Sequence, residues 1–74
     1  MPIGYVLINT ETGHMESVLE ALEKIDVVEE AYMLYGTYDI IAKINTDDLD
    51  KLKKIVIQLR LLDKVRQTQT MVVM

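Results

Sequence analysis

The stretch AYMLYGTYDIIAKI, Ala31–Ile44, decides the fold. Two apolar runs flank Tyr35-Gly36-Thr37-Tyr38-Asp39, and three of the chain's four aromatic residues, Tyr32, Tyr35 and Tyr38, fall inside it. Gly36 supplies positive φ at the first centre of a tight turn, so Gly36-Thr37 predicts a β-hairpin. The strand after the turn reads Tyr38–Ile44. Tyr38, Ile40, Ala42 and Ile44 share one face, with Asp39, Ile41 and Lys43 on the other. The strand before it reads Val27–Tyr35, and Glu29 and Glu30 in its early half suit a guarded sheet edge.

Working outward, Ile3–Ile8 is apolar on both alternating faces, as expected of a central strand covered on both sides. Asn9–Gly13 reads as a loop with capping candidates for a helix. Met15, Val18, Leu19, Leu22 and Ile25 recur at helical spacing, with Glu16, Glu20 and Glu23 facing away and Asp26 at the end. After the hairpin, Thr46 is the expected N-cap of a second helix, with Asp47 and Asp48 in its first turn. Leu49, Leu52, Ile55, Val56 and Leu59 form its inward stripe, and Ile57 and Leu61 project from the opposite side. Those two are a subunit contact or tolerated surface groups, or Leu61 lies past a helix that frays early. Val65–Met74 is a last strand, polar and then apolar.

The order is β-α-β-β-α-β. A right-handed crossover leaves a gap between strands one and two; the hairpin drops strand three into it. The second crossover then sets strand four beside strand one. The expected fold class is therefore α+β: a ferredoxin-like βαββαβ unit, a four-stranded antiparallel sheet of order 4-1-3-2, with two helices on one face. The other face of the central strands is also apolar, and a second copy packed sheet to sheet is its natural cover.

Composition points the same way. The chain has 74 residues, one domain's length, and half of them are hydrophobic, with a mean hydropathy of +0.14. A domain this small buries only about 60% of its unfolded surface, so surplus apolar material argues for self-association rather than a monomer with scattered surface groups. There is no cysteine, hence no disulfide framework or thiolate zinc site. No run resembles a signal peptide or approaches a membrane span, so no membrane partner is expected and the cytoplasm is the default location. The net charge is −4 with dispersed basic residues, which argues against direct nucleic-acid binding.

Few residues could carry chemistry. The single His14 stands at the start of a helix, with neither a cysteine nor a second histidine at ligand spacing. Nucleophile-elbow, phosphate-loop and zinc-helix motifs are absent from the sequence. Two small constellations remain. In Tyr35-Gly36-Thr37-Tyr38-Asp39 the glycine lets backbone N–H groups approach a ligand, and Asp39 could pair with an ammonium group. In Thr68-Gln69-Thr70 the threonines share a face with Cα atoms about 7 Å apart, and their hydroxyls could hold a carboxylate. Together they suit a zwitterion. Equally, Gly36 could serve the turn alone, Asp39 could be solvated, and threonine favours strands anyway.

From first strand to last, the chain resembles the effector domain of the Lrp/AsnC (feast/famine) transcription regulators, the RAM domain (regulation of amino-acid metabolism). Ala31-Tyr32, Tyr35-Gly36-Thr37-Tyr38-Asp39 and Thr68-Gln69-Thr70 carry the resemblance. It implies dimers formed through the sheets and joined into rings, commonly octamers. It also implies an amino acid bound between dimers, with Tyr35, Gly36, Tyr38 and Asp39 on one side and Thr68 and Thr70 of a neighbour opposite. Gln67 and Gln69 are possible additions. A typical regulator carries an N-terminal helix-turn-helix domain. Here Met1-Pro2 leads almost directly into the first strand, so residues 1–74 read as a single effector-like domain without a DNA-binding partner domain.

The expectation is a non-enzymatic, oligomeric amino-acid sensor, without cofactor or metal, that modulates transcription by assembling with full-length Lrp/AsnC-type regulators. The alternatives are a ligand-free assembly or adaptor module and a small dimeric ferredoxin-like enzyme, since that fold also hosts monooxygenases and isomerases. The second finds little support in so few acids and bases, with His14 placed far from any sheet-lined pocket.

Overall fold

The computed structural model describes residues 2–74. The elements follow the expected order: β1 (Ile3–Thr10), α1 (Met15–Glu23), β2 (Val28–Met33), β3 (Ile40–Asn45), α2 (Leu49–Arg60) and β4 (Val65–Val72). They build one sheet of order β2-β3-β1-β4, the predicted 4-1-3-2 read from the other side. Every strand pair is antiparallel.

β1 shows the logic of the sheet most plainly. Its even-numbered residues, Gly4, Val6, Ile8 and Thr10, are buried, and its odd-numbered ones are half-buried. Alternation sends the even set under the helices. There Val6 and Ile8 join Ile40, Ala42 and Ile44 of β3, Val18 and Leu22 of α1, and Leu52, Val56 and Leu59 of α2 in one core. Gly4 is small because α2 lies on it: a Cβ there would sit 3.0 Å from Leu52 Cδ1. The opposite face carries Ile3, Tyr5 and Leu7 of β1, Ile41 and Lys43 of β3, and the exposed Tyr32 and Met71. No helix covers it.

The edge strand β2 is guarded as expected. Glu29 is an extra residue in the ladder between Val28↔Ile44 and Glu30↔Lys43, and a bulge of this kind twists an edge away from new partners. Lys43 Nζ lies 3.5 Å from Glu29 and 3.9 Å from Glu30. Tyr32 donates to Glu30 Oε1 at 2.8 Å, and this bond, with the carboxylate's charge, raises the phenol above its ordinary pKa.

Several boundaries differ from the sequence reading. β1 runs two residues past Ile8, because Asn9 and Thr10 still pair with Gln67 and Val65. α1 ends at Glu23, short of Asp26, and no side chain caps its start. β4 ends at Val72 rather than Met74. The N-cap of α2 is Asp48, not Thr46: Asp48 has the extended backbone of a cap and its Oδ1 accepts from Lys51 N at 2.8 Å. Thr46 is buried and turns its hydroxyl to the Asp48 carbonyl, at 2.8 Å. Leu49 of the expected inward stripe, the first residue of the helix, is exposed and does not join the core. Ile57 is exposed on the outer side of α2, as expected, and Leu61, also exposed, lies past the last helical residue as its C-cap.

Candidate ligand site at the hairpin end of the sheet

The hairpin keeps the register that Gly36-Thr37 dictates. Met33 faces Ile40, and Leu34 N donates to the Asp39 carbonyl at 2.7 Å. The next pair, Tyr35 and Tyr38, leaves the ladder, so β2 stops at Met33 and β3 begins at Ile40 rather than at Tyr38. Gly36 has φ of +155°, which favours glycine, and a Cβ there would meet nothing within 4 Å. Tyr35 beside it is fully exposed. Tyr38 does not continue the face of Ile40. Its hydroxyl donates to Gln69 Oε1 at 2.9 Å, and Gln69 lies opposite Leu7 on the face away from the helices.

Asp39 is anchored rather than freely solvated. Its Oδ2 accepts from Thr10 N at 2.8 Å and from Thr10 Oγ1 at 3.3 Å. Two donors on one oxygen fix its direction. Among the described residues Oδ1 accepts no hydrogen bond. Asp39 N donates to the Ile8 carbonyl at 2.9 Å, which ties the hairpin to the end of β1.

A cavity of about 480 Å³ opens at this end of the sheet. Its wall includes Thr10, Glu11, Thr37, Asp39, Arg66 and Gln67. Strands β1 and β4, the β2–β3 hairpin loop, the β1–α1 loop and the start of α1 supply it, so the charged groups of distant sequence positions meet there. A volume of a few hundred Å³ or more with a few convergent polar groups is the usual form of a small-molecule site.

The residues singled out by sequence therefore divide. Asp39 lines the cavity, together with Thr37. Tyr35, Gly36 and Tyr38 belong to the same loop but do not line it. Thr68 and Thr70 do share a face, opposite Ile8 and Val6, on the helix side of β4 and outside this cavity. Thr68 Oγ1 accepts from Arg60 Nε at 3.2 Å, while Thr70 Oγ1 is buried without a partner among the described residues. Sequence reasoning missed Thr10, Glu11 and Arg66. Thr10 had a usable signal, since it continues the buried even-numbered series of β1.

The chain from residue 3 to residue 74 matches the family model described as the Lrp/AsnC ligand binding domain. The chain belongs to the Lrp/AsnC ligand-binding domain family. Among curated proteins, the regulatory protein AsnC of Haemophilus influenzae is 33% identical over 60 residues, covering 80% of this chain and 40% of that protein. This Lrp/AsnC domain spans less than half the length of the curated relatives it matches. Among solved structures, the crystal structure of FFRP-DM1 superposes with a TM-score of 0.97 at 33% identity, covering 100% of both chains. The transcriptional regulator NMB0573 of Neisseria meningitidis, solved as an L-Met complex, shares the fold. Its TM-score is 0.87 at 16% identity, over 99% of this chain and 49% of that one.

Proposed function

We propose that this domain is a non-enzymatic amino-acid sensor that works as an oligomer and modulates transcription through full-length Lrp/AsnC regulators. The observation that carries the reading is Asp39. Its carboxylate is held at one oxygen by Thr10 and lies at the wall of a cavity of about 480 Å³, ample for an amino acid. A fixed carboxylate facing such a space is a receptor for an ammonium group. Membership of a ligand-binding domain family of regulators supports a small effector, and NMB0573, which contains a domain of this fold, was solved as an L-Met complex.

In this reading Asp39 faces the ligand from the cavity wall, and Tyr35, Gly36 and Tyr38 of the same hairpin, outside that wall within one chain, border the part of the cleft between subunits. Thr68 and Thr70 of a neighbouring subunit complete the cleft, since within one chain they lie outside the Asp39 cavity. Two copies pack through the uncovered sheet face around Tyr5, Leu7 and Ile41, and dimers join into a ring. The cytoplasm is where such a sensor would meet both its effector and a regulator. One observation favours the ligand-free adaptor as a second reading: the Thr68 hydroxyl is already engaged by Arg60.

The test is a thermal-shift panel of the twenty amino acids against wild type and Asp39→Ala. A ligand bound only to the folded protein raises apparent stability by RT ln(1 + [L]/Kd). The expected result is a shift for a few amino acids that the variant loses. No shift in a protein shown to be oligomeric would leave the adaptor reading standing.

A further inference from the structure

Arg66 is the one cationic residue of the cavity wall among the described residues, and neither the sequence pattern nor the hairpin explains it. It is the extra residue of a β-bulge: Asn9 faces Gln67 and Thr10 faces Val65, so Arg66 has no partner on β1. A bulge breaks the alternation of a strand and re-aims one side chain, and bulges concentrate near functional sites. The backbone just before it is also unusual. Lys64 has φ of +72°, the one non-glycine residue with positive φ among the described residues, and its carbonyl accepts from Glu11 N at 2.8 Å. That bond joins the turn before β4 to the β1–α1 loop. With this geometry Arg66 reaches the same space as Asp39.

We infer that Arg66 is the carboxylate receptor of the site, acting within the same chain as Asp39. The inference rests on the amino-acid reading above and adds to it the partner of the second charge. The cavity offers one carboxylate fixed by Thr10 and one guanidinium, with the Thr37 hydroxyl and the Gln67 amide also in its wall. A free α-amino acid carries both complementary charges on one small frame. A guanidinium presents paired N–H donors that match the two oxygens of a carboxylate. Arg66 Nε is 4.0 Å from Glu11 Oε2, with both side chains more than half exposed. A pair this long and wet is weak, so a ligand carboxylate displaces Glu11 at little cost. The neighbour's Thr68 and Thr70 then close the cleft without having to neutralise a charge.

The discriminating probes are the twenty L-amino acids and their carboxamides, which keep the ammonium and lack the carboxylate. Each is titrated calorimetrically into the full chain. Wild type is expected to bind an acid at least about tenfold more tightly than its amide, the size of a charged hydrogen bond. Arg66→Gln is expected to weaken the acid by about ten- to a hundredfold and leave the amide unchanged, so that the discrimination disappears. Arg66→Lys restores part of it, because charge remains but the bidentate geometry does not. Glu11→Gln tightens the acid about two- to threefold by freeing the guanidinium. If Arg66→Gln binds the acid like wild type while Asp39→Ala does not, the inference falls and the sensor reading survives. If Thr68→Ala with Thr70→Ala erases the discrimination instead, the carboxylate lies with the neighbour's threonines and the inference also falls. If wild type binds neither acids nor amides, both fall together.

Discussion

The two faces of β1 are built from equally apolar residues and have different fates. Val6 and Ile8 point under the helices and are completely buried, whereas Tyr5 and Leu7, their immediate neighbours, remain half-exposed. On the covered face the chain supplies its own lid: Leu22 from α1 and Leu52, Val56 and Leu59 from α2. On the bare face it supplies none, yet that face keeps Leu7, Ile41 and Met71 and places Lys43 among them, tied to Glu29 and Glu30. The covered face holds the fold together. The bare face stores apolar area that only another molecule can use, which is why the proposed dimer places a second copy there.

The sharpest way to break this comparison is to put the same damage on both faces. Leu22→Ala removes a fully buried side chain and should cost about 2–5 kcal/mol of unfolding free energy, read by urea denaturation. Ile8→Asp buries a charge without a partner and should abolish folding, read by loss of the far-ultraviolet circular dichroism of the folded state. Ile41→Asp, on the bare face of the neighbouring strand, should leave the secondary structure intact and change the assembly instead. Wild type should melt at a temperature that rises with protein concentration, and the variant should lose that dependence and sediment as a monomer. A variant that stays associated would place the subunit contact elsewhere.

Gly4 probes the covered face from the opposite direction. Gly4→Ala adds a methyl group facing Leu52 Cδ1 at 3.0 Å, and overpacking of this kind should cost about 1–3 kcal/mol unless the leucine shifts. The end of the sheet has a weaker bond to break. Asp39→Ala leaves Thr10 N without its acceptor at a nearly buried position, and the expected loss is about 1–3 kcal/mol in the same denaturation series. Its effect on ligand affinity should far exceed its effect on the fold. A loss of stability without a loss of binding would make Asp39 a structural tie and no more.

Much of this arrangement is legible in the sequence because it is periodic. Alternation in Ile3–Ile8 and Ile40–Ile44 gives the central strands, the 3–4 spacing of Met15–Leu22 and Leu52–Leu59 gives the helices, and Gly36-Thr37 alone sets the hairpin register. What periodicity does not carry is a contact made by one atom to one atom. The Thr10–Asp39 tie spans 29 residues and leaves no trace in either local pattern. The bulge at Arg66 depends on which residue of β4 drops out of register, and a run as polar as Val65–Thr70 reads equally well with or without it. Tyr38 misled for a related reason. Alternation assigns it to the face of Ile40, but the ladder opens one pair earlier, and its ring is free to turn to Gln69.

The start of α2 offers the smallest of these effects and the finest test of how the lid is fixed. Three residues, Thr46 to Asp48, lead from β3 into the helix that covers the sheet, and each carries a side-chain oxygen that could cap it. A cap must have an extended backbone and a side-chain oxygen facing the free N–H groups of the first turn. Asp48 meets both conditions, with its Oδ1 on Lys51 N, and Thr46 instead holds the Asp48 carbonyl from outside. Asp48→Ala should therefore cost about 1 kcal/mol, and Asp48→Asn should recover most of it, because the cap is a hydrogen bond first and a charge second. Thr46→Val, which keeps the buried shape and removes only the hydroxyl, should disturb the orientation of the cap without removing it, and its cost should be the smaller. If Thr46→Val proves the costlier of the two, the lid over the covered face is anchored through the strand end rather than through the helix terminus.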